Sequence, residues 1–161
     1  MKTEQYVWAG LRIVLGLVFF WAFIDKLFGL GFATTVEKSW LAGGSPTTGF
    51  LTAGVHGPFA WFYNTLAGSA VVDWLFMMGL MLMGISLILG VGVRIAGYSG
   101  ALLMFLMWTA LLPPKNHPFL DEHVIYLIVL LGLVHVRAGR WYGLGKQWEK
   151  LPLVKKFPLL V

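Results

Sequence analysis

The sequence predicts an all-α, polytopic membrane protein: an antiparallel four-transmembrane-helix bundle with an aromatic interfacial loop between helices 1 and 2. Hydrophobic residues make up 58% of the 161 residues and charged residues only 12%, which is far from the composition of a soluble domain. The apolar residues form long runs that do not alternate with polar ones, as the strands of a membrane barrel would. We therefore expect the bilayer to be the solvent and residues 1–161 to form a single domain.

Four apolar runs are candidates for spanning helices, each of which needs about 20 residues. They lie at about 6–24, 71–91, 95–112 and 118–136, the last extending backwards from His123. The long segment between the first two runs is too interrupted by Gly and Pro to span, and its aromatic residues are typical of headgroup depth. Residues 137–161 are expected to form an interfacial tail on the membrane surface.

The distribution of Lys and Arg predicts the orientation, because cationic flanks are retained in the cytoplasm. Only Lys26, Lys38 and Lys115 lie on one side of the four predicted spans. Nine cations lie on the side of the termini: Lys2, Arg12, Arg94, Arg137, Arg140, Lys146, Lys150, Lys155 and Lys156. Both termini are therefore expected in the cytoplasm of a prokaryotic plasma membrane. We interpret the net charge of +5 as a topology signal, with membrane lipids as contacts, and not as a nucleic-acid-binding surface.

The acidic and histidine residues gather at the opposite, extracytoplasmic end. Five of the seven acids and three of the four histidines fall there: Asp25, Glu37, Asp73, Asp121, Glu122, His56, His117 and His123. Ionisable groups at the edge of hydrocarbon cost a few kcal/mol unless they pair or face a polar cavity. We expect Lys26 to pair with Asp73 or Glu122, and Asp25 to pair with a cation or a histidine.

The connection before the fourth helix admits two interpretations. Asn116 or His117 can cap a helix whose first position is Pro118. Asp121 and Glu122 then fall in the first turns, where they either stabilise the helix terminus or exchange protons. No metal site is predicted, because the chain has no cysteine and its histidines and carboxylates lack the tight spacing of a metal motif.

Arg12 interrupts the first apolar run within its inner half. A long cationic side chain at that depth can reach the headgroups while its stem stays in hydrocarbon. We expect it to snorkel to the cytoplasmic surface.

Several segments in order resemble the DoxX/DoxD-like membrane proteins. They read RIVLGLVFFWAFIDKLFG, GGSPTTGFL, VVDWLFMMGLMLMGISLILGVGVRIAGYSGALLMFLMWTALLPPKNHPFLDEHVIY and AGRWYGLG, and together cover nearly the whole chain. The matching polar positions are Arg12, Asp25, Lys26, Asp73, Arg94, His117, Asp121, Glu122 and His123. The resemblance implies a four-helix membrane bundle with an electron path to quinone. For DoxD-type members it implies the membrane subunit of a thiosulfate:quinone oxidoreductase, with a second small subunit or a soluble sulfur-metabolism partner.

A quinone head needs an apolar slot, flat aromatic neighbours and groups that bond its two oxygens and exchange protons. The extracytoplasmic cluster meets these needs, with His117 or His123 bonding one oxygen. The residues predicted to exchange protons are Asp73, Asp121 and Glu122, and those predicted to bind the quinone are Asp25, Lys26, Trp40, Trp61, Trp74 and Trp108.

Two other functions remain open from the sequence. The same cluster could serve a non-redox binding or transport module for a small polar solute or an ion. Four helices are few for an alternating-access carrier built of repeats, so this function would call for a homo-oligomer. Alternatively, the chain is a structural anchor for a partner subunit, and the polar groups lock the bundle.

Overall fold

The computed structural model describes residues 3–161, and all regular secondary structure in this range is helical. The α-helices are α1 Thr3–Phe28, α2 Ala60–Thr65, α3 Ala70–Leu89, α4 Val93–Ala110, α5 Glu122–His135, α6 Gly145–Trp148 and α7 Pro152–Lys156. Helices α1, α3 and α4 are long and apolar enough to cross a membrane. These findings confirm the all-α class and are compatible with a multi-pass membrane protein.

The helix ends differ from the predicted ones in ways that move functional residues. Helix α1 continues past Ile24 to Phe28, so Asp25 and Lys26 belong to its last turns. Between α3 and α4 the chain reverses within three residues, because Gly90 and Gly92 adopt left-handed φ values of 74° and 60° that other residues rarely adopt.

The predicted start of the fourth helix at Pro118 is wrong. Helix α5 begins at Glu122, because the Asp121 side chain accepts the backbone N–H groups of His123 at 3.0 Å and Val124 at 3.4 Å. His117 instead folds the turn before it, where its Nδ1 accepts two backbone N–H groups. Helix α5 has 14 residues, a length of about 21 Å against a hydrocarbon core of about 30 Å.

The long helices pack in antiparallel pairs, α1 on α3 and α4 on α5. Small residues allow the backbones to approach. A Cβ atom built at Gly84 would lie 2.7 Å from the Cβ of Phe20, and one built at Gly97 would lie 2.2 Å from a methyl group of Val134. This order brings the end of α1, the start of α3, the end of α4 and the start of α5 to one end of the bundle.

Arg12 lies at the other end of the bundle and does not snorkel. Its side chain is 0% exposed, and its guanidinium donates to the carbonyls of Leu87, Ile88, Trp141 and Tyr142. The first two carbonyls belong to the last turn of α3, where unpaired oxygens and the helix dipole favour a cation. The expectation of a solvated Arg12 is wrong because these carbonyls replace water. The side chain ties α1 to the end of α3 and to the tail.

Candidate functional site

A long loop, residues 29–69, covers the end of the bundle where α3 and α5 begin. Its backbone is attached to two helices: Trp40 N–H donates to the carbonyl of Lys26 at 2.9 Å, and His56 N–H donates to that of Ala110 at 3.2 Å. Short helical turns, including Phe50–Gly54 and α2, give it regular structure. The loop therefore joins the ends of α1 and α4.

Asp25 holds the start of this loop. It is 2% exposed, and its two carboxylate oxygens accept the backbone N–H groups of Phe32 at 3.2 Å and Ala33 at 2.9 Å. Within residues 3–161 Asp25 pairs with neither a cation nor a histidine, so the expected pairing is wrong. Backbone donors eight residues or fewer away meet the carboxylate instead.

Asp73 holds the middle of the long loop. It is 8% exposed and accepts three hydrogen bonds, from Ser45 Oγ at 2.9 Å, from Thr47 N at 3.3 Å and from Thr47 Oγ1 at 2.5 Å. Within residues 3–161 it forms no ion pair with Lys26, so that predicted pairing is wrong, as is the pairing of Lys26 with Glu122. The contacts of Asp73 are those of a residue that pins the loop to the first turn of α3.

An apolar cavity of about 240 Å³ lies between the long loop and helices α3 and α4. We call it the loop-end cavity. Its lining residues are Lys26, Pro46, Thr47, Phe50, Leu51, Tyr63, Leu66, Val72, Phe76, Leu103, Leu106, Met107 and Ala110. The Tyr63 hydroxyl lies 3.0 Å from the carbonyl oxygen of Leu106, to which it donates, and 2.5 Å from Thr109 Oγ1. These contacts fix the aromatic wall relative to α4.

Lys26 is the one charged residue among those that line the loop-end cavity. Its side chain is half-buried, and within residues 3–161 no carboxylate lies within salt-bridge distance of the ammonium. The neighbouring Asp25 points into the loop. An ammonium carries three N–H donors, and a partly desolvated charge is stabilised by any acceptor that reaches it. Lys26 therefore offers its donors to an occupant of the cavity.

A second, open depression of about 570 Å³ adjoins the cavity; we call it the polar cleft. It is lined by Ala53, Gly54, His56, Leu111, Pro114, Lys115, Asn116, Leu120, Asp121 and Glu122. The turn Phe50–Gly54 separates the two, since its first residues face the cavity and its last residues face the cleft. Of the predicted site residues, Lys26 lines the cavity and Asp121 and Glu122 line the cleft, while the others line neither space.

Asp121 and Glu122, which line the cleft, form a polar group with the adjacent His123. One donor atom from each lies within 4.8 Å of those of the other two, close enough to hold a cation together. Asp121 Oδ2 is 2.9 Å from His123 Nδ1, while Asp121 Oδ1 caps α5. Asp121 is therefore both a helix cap and the group that orients the histidine, so the two interpretations of this acid are compatible.

The four predicted tryptophans do not line the loop-end cavity. Trp40 and Trp74 pack edge to face at 4.6 Å, Trp108 Nε1 donates to the carbonyl of Phe119 at 2.8 Å, and Trp61 is 71% exposed.

The aromatic walls of the cavity are Phe50, Tyr63 and Phe76, which the sequence did not single out. An apolar residue that lines a cavity has the same pattern as one in a filled core, so no signal distinguished them.

No family model matches this chain, nor does any curated protein or any solved structure. The resemblance to DoxX/DoxD-like proteins thus stays a prediction from the residues.

Proposed function

We propose that this chain is a DoxX/DoxD-type protein with four membrane-spanning helices, in which α5 is the fourth span, and with both termini in the cytoplasm. The antiparallel packing of α5 along α4 supports a fourth crossing. Residues 118–121 before α5 and the helical turns after it lengthen the segment, and a local thinning of the bilayer accommodates a short helix at modest cost. The exposed Trp61 and Phe62 then lie at headgroup depth, which makes residues 29–69 an aromatic interfacial loop.

In this proposal the protein is a quinone-reactive membrane oxidoreductase subunit, and the quinone head occupies the loop-end cavity. The observation that carries it is the half-buried Lys26, whose ammonium is unpaired within residues 3–161. A quinone ring is flat and apolar and has two carbonyl oxygens that accept hydrogen bonds, so Lys26 bonds one of them. Leu106 at the rim is 40% exposed, and an isoprenoid tail leaves past it into the surrounding lipid.

Reduction of a quinone consumes two electrons and two protons. In this proposal Lys26 holds a proton at the bonded oxygen. Asp121 lines the polar cleft and lies 2.9 Å from His123 Nδ1, and it takes up protons from water there. The electrons come from a second subunit or a soluble sulfur donor. If the donor is thiosulfate, two thiosulfate dianions form a new sulfur–sulfur bond. The product is tetrathionate, and the two electrons that the quinone requires are released.

Binding is tested by the thermal shift of purified protein with a short-chain ubiquinone analogue. Lys26→Met keeps the length of the side chain and removes its charge, and Lys38→Met is the matched control on an exposed residue outside the cavity. We expect the analogue to raise Tm in the wild type and in Lys38→Met, and the shift to be lost in Lys26→Met. A wild type that shows no shift and retains no quinone in lipid extracts refutes the proposal, as does a full shift in Lys26→Met.

The polar cleft favours a second candidate, a non-redox binding or transport module for a small polar solute or an ion. Its lining carries His56, Lys115, Asn116, Asp121 and Glu122 around an open space. Proteoliposomes distinguish the two functions: solute flux without quinone reduction supports the second, and quinone reduction by an added donor supports the first.

A further inference from the structure

Three arginines gather at the end of the bundle opposite the long loop. Arg94 at the start of α4 and Arg137 and Arg140 after α5 line one small pocket together with Glu149. We call Arg94, Arg137 and Arg140 the arginine cluster. Among the side chains that line the pocket, three guanidinium groups thus face one carboxylate.

The single carboxylate is already used. Arg140 Nε lies 2.8 Å and 3.0 Å from the two oxygens of Glu149, and its Nη2 also donates to Glu149. Arg94 Nη1 donates to the carbonyl of Pro158 at 2.7 Å, a neutral acceptor. Arg137 is exposed, and its guanidinium donates to no acceptor within residues 3–161. Within residues 3–161, Arg94 and Arg137 therefore have no side-chain carboxylate as a partner, and the guanidinium of Arg137 keeps all of its donors.

The backbone of Arg137 is held in a conformation that an arginine does not favour. Its φ of 53° and ψ of 50° are left-handed, a region in which the Cβ atom of an L-residue crowds the following carbonyl. Glycine adopts this conformation freely, and Ala138 and Gly139 next to it are buried. A guanidinium side chain thus occupies a position where glycine would fit the backbone without strain.

The surroundings combine more positive charge with apolar surface. Lys146 and Lys150 lie on the adjoining open face, next to Arg140 and Glu149. The same tail exposes large apolar side chains, among them Leu144, Leu151 and Leu153. A ligand with an anionic head and acyl chains matches both the positive charge and the apolar surface. A soluble anion would contact only the positive charge.

We propose that the arginine cluster binds the phosphodiester headgroup of an anionic phospholipid, with Arg137 as its main ligand. The planar guanidinium fork donates two parallel hydrogen bonds to two phosphate oxygens. Basic pockets between helices at the cytoplasmic face are a known type of site for such headgroups. This assignment uses the membrane location of the chain and does not depend on quinone binding.

The test uses the purified full chain in nanodiscs of phosphatidylcholine, with or without phosphatidylglycerol, and retained lipids are counted by native mass spectrometry. Arg137→Gly removes the guanidinium and suits the left-handed backbone, so the fold is expected to be kept. Lys155→Gln removes one charge from the tail outside the pocket and is the control. We expect the wild type and the control to prefer phosphatidylglycerol by about tenfold, and Arg137→Gly to lose most of that preference.

Three results overturn the proposal. They are equal binding of the two lipids by the wild type, an unchanged preference in Arg137→Gly, and displacement of phosphatidylglycerol by millimolar inorganic phosphate, which assigns the cluster to a soluble anion. Melting curves of all three proteins, recorded in phosphatidylcholine alone, show whether each variant is folded.

Discussion

The hydroxyl of Thr47 donates a 2.5 Å hydrogen bond to the carboxylate of Asp73, which is buried in the first turn of α3. Thr47 also lines the loop-end cavity. The bond therefore couples the long loop to the helix bundle at the point where the cavity is closed. The shape of the candidate site depends on it.

Replacement of Asp73 is expected to loosen the loop. Asp73→Ala leaves the donors of Ser45 and Thr47 without their acceptor, and we expect a loss of about 1–3 kcal/mol in the free energy of unfolding. Thermal unfolding in detergent measures it, with Glu37→Gln as a control at an exposed acid. If Asp73 is a proton donor instead, the variant melts like the wild type and only its activity per folded molecule falls.

Arg12 is expected to hold the tail in place. Arg12→Gln leaves the carbonyls of Leu87, Ile88, Trp141 and Tyr142 without a charged donor. We therefore expect the free energy of unfolding to fall by about 1.5–3 kcal/mol. Trypsin should also cleave the chain faster at Lys146. Lys155→Gln serves as the control, because Lys155 is exposed and is not among the residues whose carbonyls Arg12 bonds. Equal rates of cleavage in Arg12→Gln and in the wild type would show that the tail is held by other contacts.

The close approach of α4 and α5 depends on Gly97. In Gly97→Ala the new methyl group would lie 2.2 Å from a methyl group of Val134. We therefore expect the two helices to move apart and the free energy of unfolding to fall by about 1–3 kcal/mol. Gly10→Ala is the matched control, because nothing lies within 4 Å of a Cβ atom there. Alanine at position 10 is expected to stabilise α1 by about 0.5–1 kcal/mol. Thermal unfolding of the two variants should therefore shift in opposite directions.

The tail should be held less firmly at low pH. The hydrogen bond from Arg140 lowers the pKa of Glu149, and the charges of Arg140, Arg137 and Arg94 lower it further. Because the pKa is lower in the folded state, the stabilisation is present above the ordinary Glu value of about 4.3 and is lost as the pH falls through the folded value. Tryptophan fluorescence should report the change, since Trp148 Nε1 bonds the carbonyl of Leu160. In Glu149→Gln this acid transition should be absent.

The sequence by itself determined the helices and some of their ends. In hydrocarbon the backbone N–H and C=O groups have no water to bond, and a helix satisfies them within one segment. Long apolar runs therefore predict the all-α class without any tertiary contact. A tight turn between the second and third spans was also predicted, because only three residues separate the two apolar runs, but it lies at Gly90 and Gly92, two residues before the predicted link. Local capping misled the prediction at α5, where Asn116 or His117 was expected to cap the helix and Asp121, expected in its first turns, is the cap.

The tertiary structure decided which partner each polar side chain takes. Asp25 and Asp73 were expected to meet cations, but backbone and hydroxyl donors of the long loop occupy them. That leaves Lys26 unpaired at an apolar cavity and makes it the centre of the candidate site. Arg12 was expected to snorkel to the cytoplasmic headgroups, but it bonds the carbonyls at the end of α3. A carboxylate or a guanidinium binds whichever complementary group the fold brings within about 3 Å, and that distance is set by contacts between residues far apart in the chain.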